Sequence, residues 1–320
     1  MSNPCLSIVI PLYNEQEVFP ELTKRLLLIL EQTTLDIEVV MVDDGSSDLT
    51  AGLIKELATN DIRFRAVFLS RNFGHQMALT AGLNYVRATD AVFIMDGDLQ
   101  DPPELIFDFY QKHKEGFDVV YAIRKKRKET LLKKMAYSLF YRLLKGSSKI
   151  NIPLDSGDFG LISARVANIL NNMPEENRFV RGMRSWVGFN QVGIEYERDE
   201  RSQGVSKYGF KELWHLAKTG FFNFSEVPVK FFTRLGFGIV AICGVYFALT
   251  LINRFVYGTV PEGFTGLLFV IILFGGIQLL AIGLIGEYVL RIFFQVKKRP
   301  LFIVKTIIEN GEEIDGKGIL

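Results

Sequence analysis

The chain has 320 residues, 48% of them apolar, with a formal net charge of +1. That length holds one large domain or two modest ones, each with a real core, and the balanced charge gives no ground for a nucleic-acid partner. Its two cysteines, Cys5 and Cys243, lie far apart without metal-ligand spacing, which argues against a disulfide framework and fits a reducing compartment.

The N-terminus runs polar residues directly into a strand-like segment, so no signal peptide is expected. LSIVIPLYN reads as a buried strand, and Phe19 to Glu31 as a helix with Leu22, Leu26, Leu27 and Leu30 on one face. IEVVMVDDGSSD is a strand running into a polar loop, Ala51 to Asn60 a helix, AVFLS a strand, His75 to Arg87 a helix, and AVFIMDGDLQ a strand ending in acids. This βαβα order predicts an α/β domain, with a mainly parallel sheet covered by helices on both faces. Ligand-binding loops of such sheets lie at the carboxyl ends of the strands, where Asn14, Asp43, Asp44, Asp96 and Asp98 all fall.

Two later stretches have the pattern of interfacial amphipathic helices, near 130–145 and 210–230. The first carries Leu131, Leu132, Met135, Leu139, Leu143 and Leu144; the second carries Phe210, Leu213, Trp214, Ala217, Phe221 and Phe222. Each stripe is equally compatible with a helix packed on the catalytic core. The basic run Arg124 to Lys128 would add attraction to anionic lipid. From Leu235 to Asn253 and from Phe264 to Gly286 the chain is uncharged, long enough in each case to span a bilayer. Lys230 and Arg234 precede the first run, and Arg291, Lys297, Lys298 and Arg299 follow the second. The excess of positive charge on these outer flanks predicts a two-helix transmembrane hairpin with both termini in the cytoplasm. The expected organisation is a catalytic domain over 1–230, two membrane helices within 231–292 (about 235–255 and 264–290), and a tail over 293–320. In that tail PLFIVKTIIE alternates like a strand. A strand far from its sheet should pair with its own domain or with a neighbouring subunit, and of the two a homo-oligomer built through the tail is expected.

Asp96-Gly97-Asp98-Leu99-Gln100 closes an apolar strand. Two carboxylates one residue apart can share a divalent cation, and hard oxygen ligands suit magnesium or manganese, which also take diphosphate oxygens. A second acidic turn, Asp43-Asp44-Gly45-Ser46-Ser47-Asp48, follows another buried strand, and Ser47 or Asp48 could equally cap a helix there. No G-x-G-x-x-G follows the first strand, which excludes a Rossmann oxidoreductase.

PLYNEQE, VDDGSSD, LSRNFGHQMA and MDGDLQDPPE, in this order, resemble the GT-A fold of family 2 glycosyltransferases. DSGDF at Asp155–Phe159 and RSQGVSKYG at Arg201–Gly209 are similar to motifs of the polyprenyl-phosphate glycosyltransferases within that family. The chain departs from that pattern at Gly160, where a larger residue is usual. Arg181-Gly-Met-Arg184-Ser-Trp186 is similar to the Q-x-x-R-W of processive synthases but lacks the glutamine.

The resemblance implies that Pro11, Tyr13 and Glu15 line the nucleotide base and ribose, with Asp43 on the base. Asp96 would reach the ribose or the diphosphate through the ion, while Asp98 and Gln100 complete the metal shell. Arg124 would meet donor or acceptor phosphates, and Arg201, Ser206 and Lys207 would close over the same anionic site. Asp158 would orient the acceptor or the sugar, or act as a weak base. The implied reaction is inverting transfer of a sugar from a nucleotide-sugar, with UDP-glucose expected, to undecaprenyl phosphate at the cytoplasmic face of the cell membrane. Mg2+ or Mn2+ is the implied cofactor. The rival readings are a processive polysaccharide synthase, which would need more spans, and a non-catalytic nucleotide-sugar-binding module, which would tolerate loss of Asp98, Gln100 or Lys207.

Overall fold

The structure is a computed structural model that describes residues 3–124, 156–176, 178–197 and 263–316, with scattered positions between 232 and 256. The chain divides into two compact units: Met1–Gly220 together with Arg299–Leu320, and Phe221–Lys298.

In the first unit the expected βα alternation holds. Strands β1 (Leu6–Leu12), β2 (Ile37–Asp43), β3 (Phe64–Leu69) and β4 (Ala91–Ile94) are joined by helices α1 (Phe19–Glu31), α2 (Thr50–Asn60) and α3 (His75–Tyr85). β1 and β2 are buried at every position, as strands covered on both faces must be. Helix α4 (Ile106–Lys114) leads to β5 (Val119–Arg124); then come β6 (Ser156–Ser163), α5 (Ala164–Asn172), α6 (Val180–Trp186) and β7 (Gln191–Tyr196). After the second unit the chain returns as β8 (Val304–Glu309) and β9 (Glu312–Asp315). α3 stops two residues short of the expected Arg87, because Val86 turns extended and Arg87 is drawn onto Glu38.

The sheet has nine strands in the order β7-β5-β6-β4-β1-β2-β3-β8-β9. It is mixed rather than mainly parallel. β1, β2, β3 and β4 are mutually parallel, and β5 is parallel to β7. β6 lies antiparallel between β4 and β5, and β8 antiparallel between β3 and β9. Helical crossovers force the parallel direction only on the strands they connect. Between β4 and β5 the crossover through α4 leaves a gap one strand wide, and β6 fills it. Phe93 of β4, Phe109 of α4 and Phe159 of β6 pack with ring centroids 5.3–5.7 Å apart, which fixes β6 in that gap.

The tail strand finds its partner within the chain. β8 pairs with β3 from Ala66↔Ile308 to Leu69↔Val304, and Glu309 accepts from Arg65 Nη2 at 2.6 Å and Arg87 Nη1 at 2.7 Å. Arg87 also donates through Nε to buried Glu38 at 3.0 Å, and Ser7 Oγ donates to the same carboxylate at 2.5 Å. The homo-oligomer was expected because this strand needed a neighbour; β3 supplies one, and that ground disappears. β9 is then the exposed edge, and its acidic residues discourage further strand addition.

In the second unit, helix α7 (Phe264–Lys297) has 34 residues, about 50 Å at 1.5 Å per residue. Its segment Leu273–Lys297 has a mean hydropathy of 1.7 and none of it is buried. Among the described residues it is the one helix long and apolar enough to cross a membrane. It covers the second predicted span. The first predicted span is described only at scattered positions, all of them helical, and both amphipathic stretches lie outside the described residues.

Candidate active site

The loops after β1 and β2 are knitted together. The Asn14 N–H donates to Ser46 Oγ at 3.0 Å, the Ser47 N–H to Asn14 Oδ1 at 2.8 Å, and the Glu15 N–H to Thr50 Oγ1 at 2.9 Å. Asn14 adopts a left-handed conformation to make this turn. Asp43 and Asp44 are both buried. Burial raises the pKa of Asp43, opposed by hydrogen bonds from Ser46. Asp44 accepts the N–H groups of Phe73 at 2.7 Å and Gly74 at 2.9 Å, and so holds the start of α3. Gly45, at φ +68°, lies where a Cβ would sit 2.5 Å from the Arg71 backbone. Pro11 is buried in β1, and the Tyr13 ring stands 37% exposed beside it.

β4 ends at Ile94, so Asp96, Gly97 and Asp98 lie in the loop beyond it. Asp98 Oδ1 accepts the Gln100 N–H at 3.2 Å, and Leu99 is left-handed between them. Asp96 meets a residue to which the sequence reading gave no role. His75 Nε2, on the first residue of α3, stands 3.5 Å from Asp96 Oδ1 and 3.8 Å from Asp158 Oδ2. Burial alone would lower the His75 pKa, but the nearby carboxylates of Asp158, Asp96 and Asp44 push it up to about 9. Asp96 rises to about 6, by desolvation first and then by repulsion from Asp101, Asp98 and Asp158.

Asp158 is held on several sides. Gln76 Nε2 donates to its Oδ2 at 2.9 Å, and Arg181 Nε stands 3.8 Å from its Oδ1. Its burial favours the neutral acid; Arg181, His75 and Arg184 outweigh that and hold it well below the usual carboxylate range. Oδ1 of Asp158 and Nε of Arg181 are both buried and have no hydrogen-bond partner among the described residues.

Arg124, at the end of β5, donates through Nε to the Tyr196 hydroxyl at 3.2 Å. That hydroxyl donates in turn to fully buried Asp101, 3.9 Å from Arg124 Nη2. The guanidinium expected on a phosphate is thus anchored along one edge by protein groups. Arg201, Ser206 and Lys207 lie outside the described residues.

The structure therefore sets Asp96 and Asp158 against one histidine, and adds His75, Gln76 and Arg181 to the predicted set. The sequence did carry a signal for the first two. LSRNFGHQ follows a strand, and its polar His-Gln pair opens a helix at the same sheet end as the acids. The donor set also bears on the implied cation. Carboxylates in excess of the one nearby imidazolium, with Asp96 raised by repulsion, suit a divalent ion. Among the described residues no group of three or more His, Cys, Asp or Glu is arranged to enclose one. Magnesium or manganese needs only one or two carboxylates, completed by water and substrate phosphates, and Asp96 and Asp98 are the carboxylates that would supply them.

Comparison with known proteins agrees with this geometry. The family model described as Glycosyl transferase family 2 matches residues 7–169. An uncharacterized glycosyltransferase of Bacillus subtilis, YkcC, is 43% identical over 307 residues, covering 95% of each chain. The SfII prophage-derived bactoprenol glucosyl transferase of Shigella flexneri is 38% identical over 301 residues, covering 94% of this chain and 97% of its own. The prophage bactoprenol glucosyl transferase homolog of Escherichia coli is 36% identical over 303 residues, covering 94% of this chain and 99% of its own. With two loops of acids presented at the ends of β2 and β4, and these relatives spanning nearly its whole length, the chain belongs to glycosyl transferase family 2.

Proposed function

We propose that the protein transfers a sugar, glucose from UDP-glucose, to the phosphate of a polyprenyl phosphate such as undecaprenyl phosphate, with inversion at the anomeric carbon. The observation that carries this reading is the convergence of Asp96 from β4 and Asp158 from β6 on His75. A donor-side and an acceptor-side carboxylate meet at one point. The names of the relatives support the acceptor class.

Pro11, Tyr13, Glu15 and Asp43 line the nucleotide. Asp96, Asp98 and Gln100 would hold Mg2+ or Mn2+, which when bound neutralises charge developing on the departing diphosphate. Asp158 orients the acceptor rather than serving as a base, because a carboxylate held so firmly ionised has little affinity for a proton. The acceptor has little need of a base: a phosphate monoester with a second pKa of about 6 is already largely dianionic at neutral pH. Its approach to the diphosphate does require positive charge, which Arg124, Arg201, Lys207 and the Ser206 hydroxyl supply. Arg124 arrives pre-oriented by Tyr196 and Asp101, so little ordering is left to pay for on binding.

The proposed setting is the cytoplasmic face of the cell membrane, with a two-helix hairpin as anchor. β8 pairs with β3, so the tail after α7 lies on the same side of a bilayer as the strands of the first unit. One crossing would separate β8 from β3; an even number is required. If α7 crosses once, the uncharged run 235–253 is the segment that can cross the other way.

Incubation of the purified protein with a panel of nucleotide-sugars and undecaprenyl phosphate, followed by mass analysis of the lipid, tests the reading. A sugar-phosphate-polyprenyl product is expected with UDP-glucose. Sugar appearing only in a growing polysaccharide would sink it in favour of a processive synthase.

A further inference from the structure

Arg184 carries a charge into the interior, where the Asp158 carboxylate favours it electrostatically without forming a direct ion pair. Its side chain is 1% exposed, no Asp or Glu lies within salt-bridge distance among the described residues, and burial depresses its pKa to about 10. Burying a guanidinium this way costs free energy that an apolar side chain of similar size would not. The contacts it makes are to backbone. Nη2 donates to the Gly157 carbonyl at 3.1 Å and Nη1 to the Asp158 carbonyl at 3.3 Å.

Those two carbonyls lie where β6 is irregular. β4 has ended at the Ile94↔Gly160 pair, and the ladder with β5 shifts register between Tyr121 and Ile123, opposite the Gly157–Phe159 stretch. Such a bulge re-aims a side chain and leaves main-chain groups without ladder partners. Gly160 makes room for the clamp: a Cβ there would stand 3.3 Å from Arg184 Nη1 and 2.5 Å from the Val120 carbonyl oxygen.

We propose that Arg184 is a positioning residue for the transfer reaction, its guanidinium fixing the β6 bulge so that Asp158 points at His75 and the acceptor site. Arg184 touches neither substrate. It acts through the backbone of Gly157 and Asp158, and the proposal rests on the role given to Asp158 above.

The test uses the full-length protein in detergent or lipid. Arg184→Met matches the length and removes the donors; Arg184→Lys restores a donor and the charge. Expected for Arg184→Met is a fall in kcat of about ten- to a hundredfold, the scale of a misplacement of about 1 Å. KM for the nucleotide-sugar and calorimetric binding of UDP with magnesium should stay within about twofold, since the donor loops on β1, β2 and β4 are untouched. Arg184→Lys should recover part of kcat. Wild-type kcat in folded Arg184→Met overturns the proposal, as does a loss confined to thermal stability. If Arg184→Met does not accumulate folded, Arg184→Gln, whose shorter side chain lacks the charge and cannot hold both carbonyls, replaces it, and wild-type kcat there overturns the proposal equally. Absence of transfer by the wild type with every acceptor would instead remove the functional reading itself, a separate result.

Discussion

Gln76 joins Asp158 to helix α6: its Nε2 donates to Asp158 Oδ2 at 2.9 Å, and its Oε1 accepts the Val180 N–H at 2.9 Å. One amide therefore sets the distance between α3, the bulge of β6 and the start of α6. A single hydrogen bond to a charged group is worth about 1.5–3 kcal/mol. Gln76→Ala is expected to lower kcat by roughly ten- to two-hundredfold. Gln76→Glu, which sets a second carboxylate against Asp158, should be at least as damaging. Steady-state kinetics with saturating donor measure both, and wild-type kcat in either variant would remove Gln76 from the site.

The aspartates beyond β4 make a prediction about the cation. Asp98→Asn should abolish most turnover, and chelation of the wild type should do the same. Magnesium or manganese should restore only the wild type. Calorimetry of UDP with and without the ion gives an independent readout, and metal-insensitive UDP binding would count against Asp96 and Asp98 as ligands.

His75 gives a pH dependence to the metal-free protein. Its folded pKa of about 9 lies above its ordinary value of 6.5, so the unfolded state loses its proton first as pH rises. The stabilisation from the His75 contacts with Asp96 and Asp158 is therefore fully present below about pH 6.5 and is lost as pH rises through about 9. In excess chelator the thermal midpoint should fall across that window. His75→Gln should flatten this part of the curve, and an identical slope in the variant would refute the assignment.

Glu309 links the tail to the sheet through Arg65 and Arg87. Glu309→Ala leaves both guanidiniums short of an acceptor, at a cost of about 1.5–3 kcal/mol. For a unit of this size each kcal/mol moves the midpoint by roughly 2–4 °C. Deleting residues from Pro300 onward should prevent stable folding of the catalytic unit, because it also exposes the β3 edge. A deletion variant with full activity and the wild-type midpoint would show that β8 is dispensable.

The hairpin anchor predicts a labelling pattern. A cysteine introduced at Gly258 should react with an impermeant reagent added outside sealed cells, while one at Ser2 should not. Equal protection of both positions would contradict two crossings.

Much of the first unit was legible in local pattern. The apolar runs LSIVIPL and IEVVMV and the polar turns after them name their own secondary structure and put acids at strand ends, because burial period and turn chemistry act over a few residues. The apolar helix over 264–286 was legible for the same reason. What the pattern does not encode is direction and neighbour. An alternating stretch such as SGDFGLIS or VKTIIE is compatible with either orientation and any open edge. The gap beside β4 and the free edge of β3, both products of long-range packing, decided that β6 and β8 run against the rest. The same packing brought His75, Gln76 and Arg184 to Asp158. A buried polar group is satisfied by whatever the fold sets within about 3 Å of it, and across 82 residues in the case of Gln76 and Asp158 only the tertiary structure determines what that is.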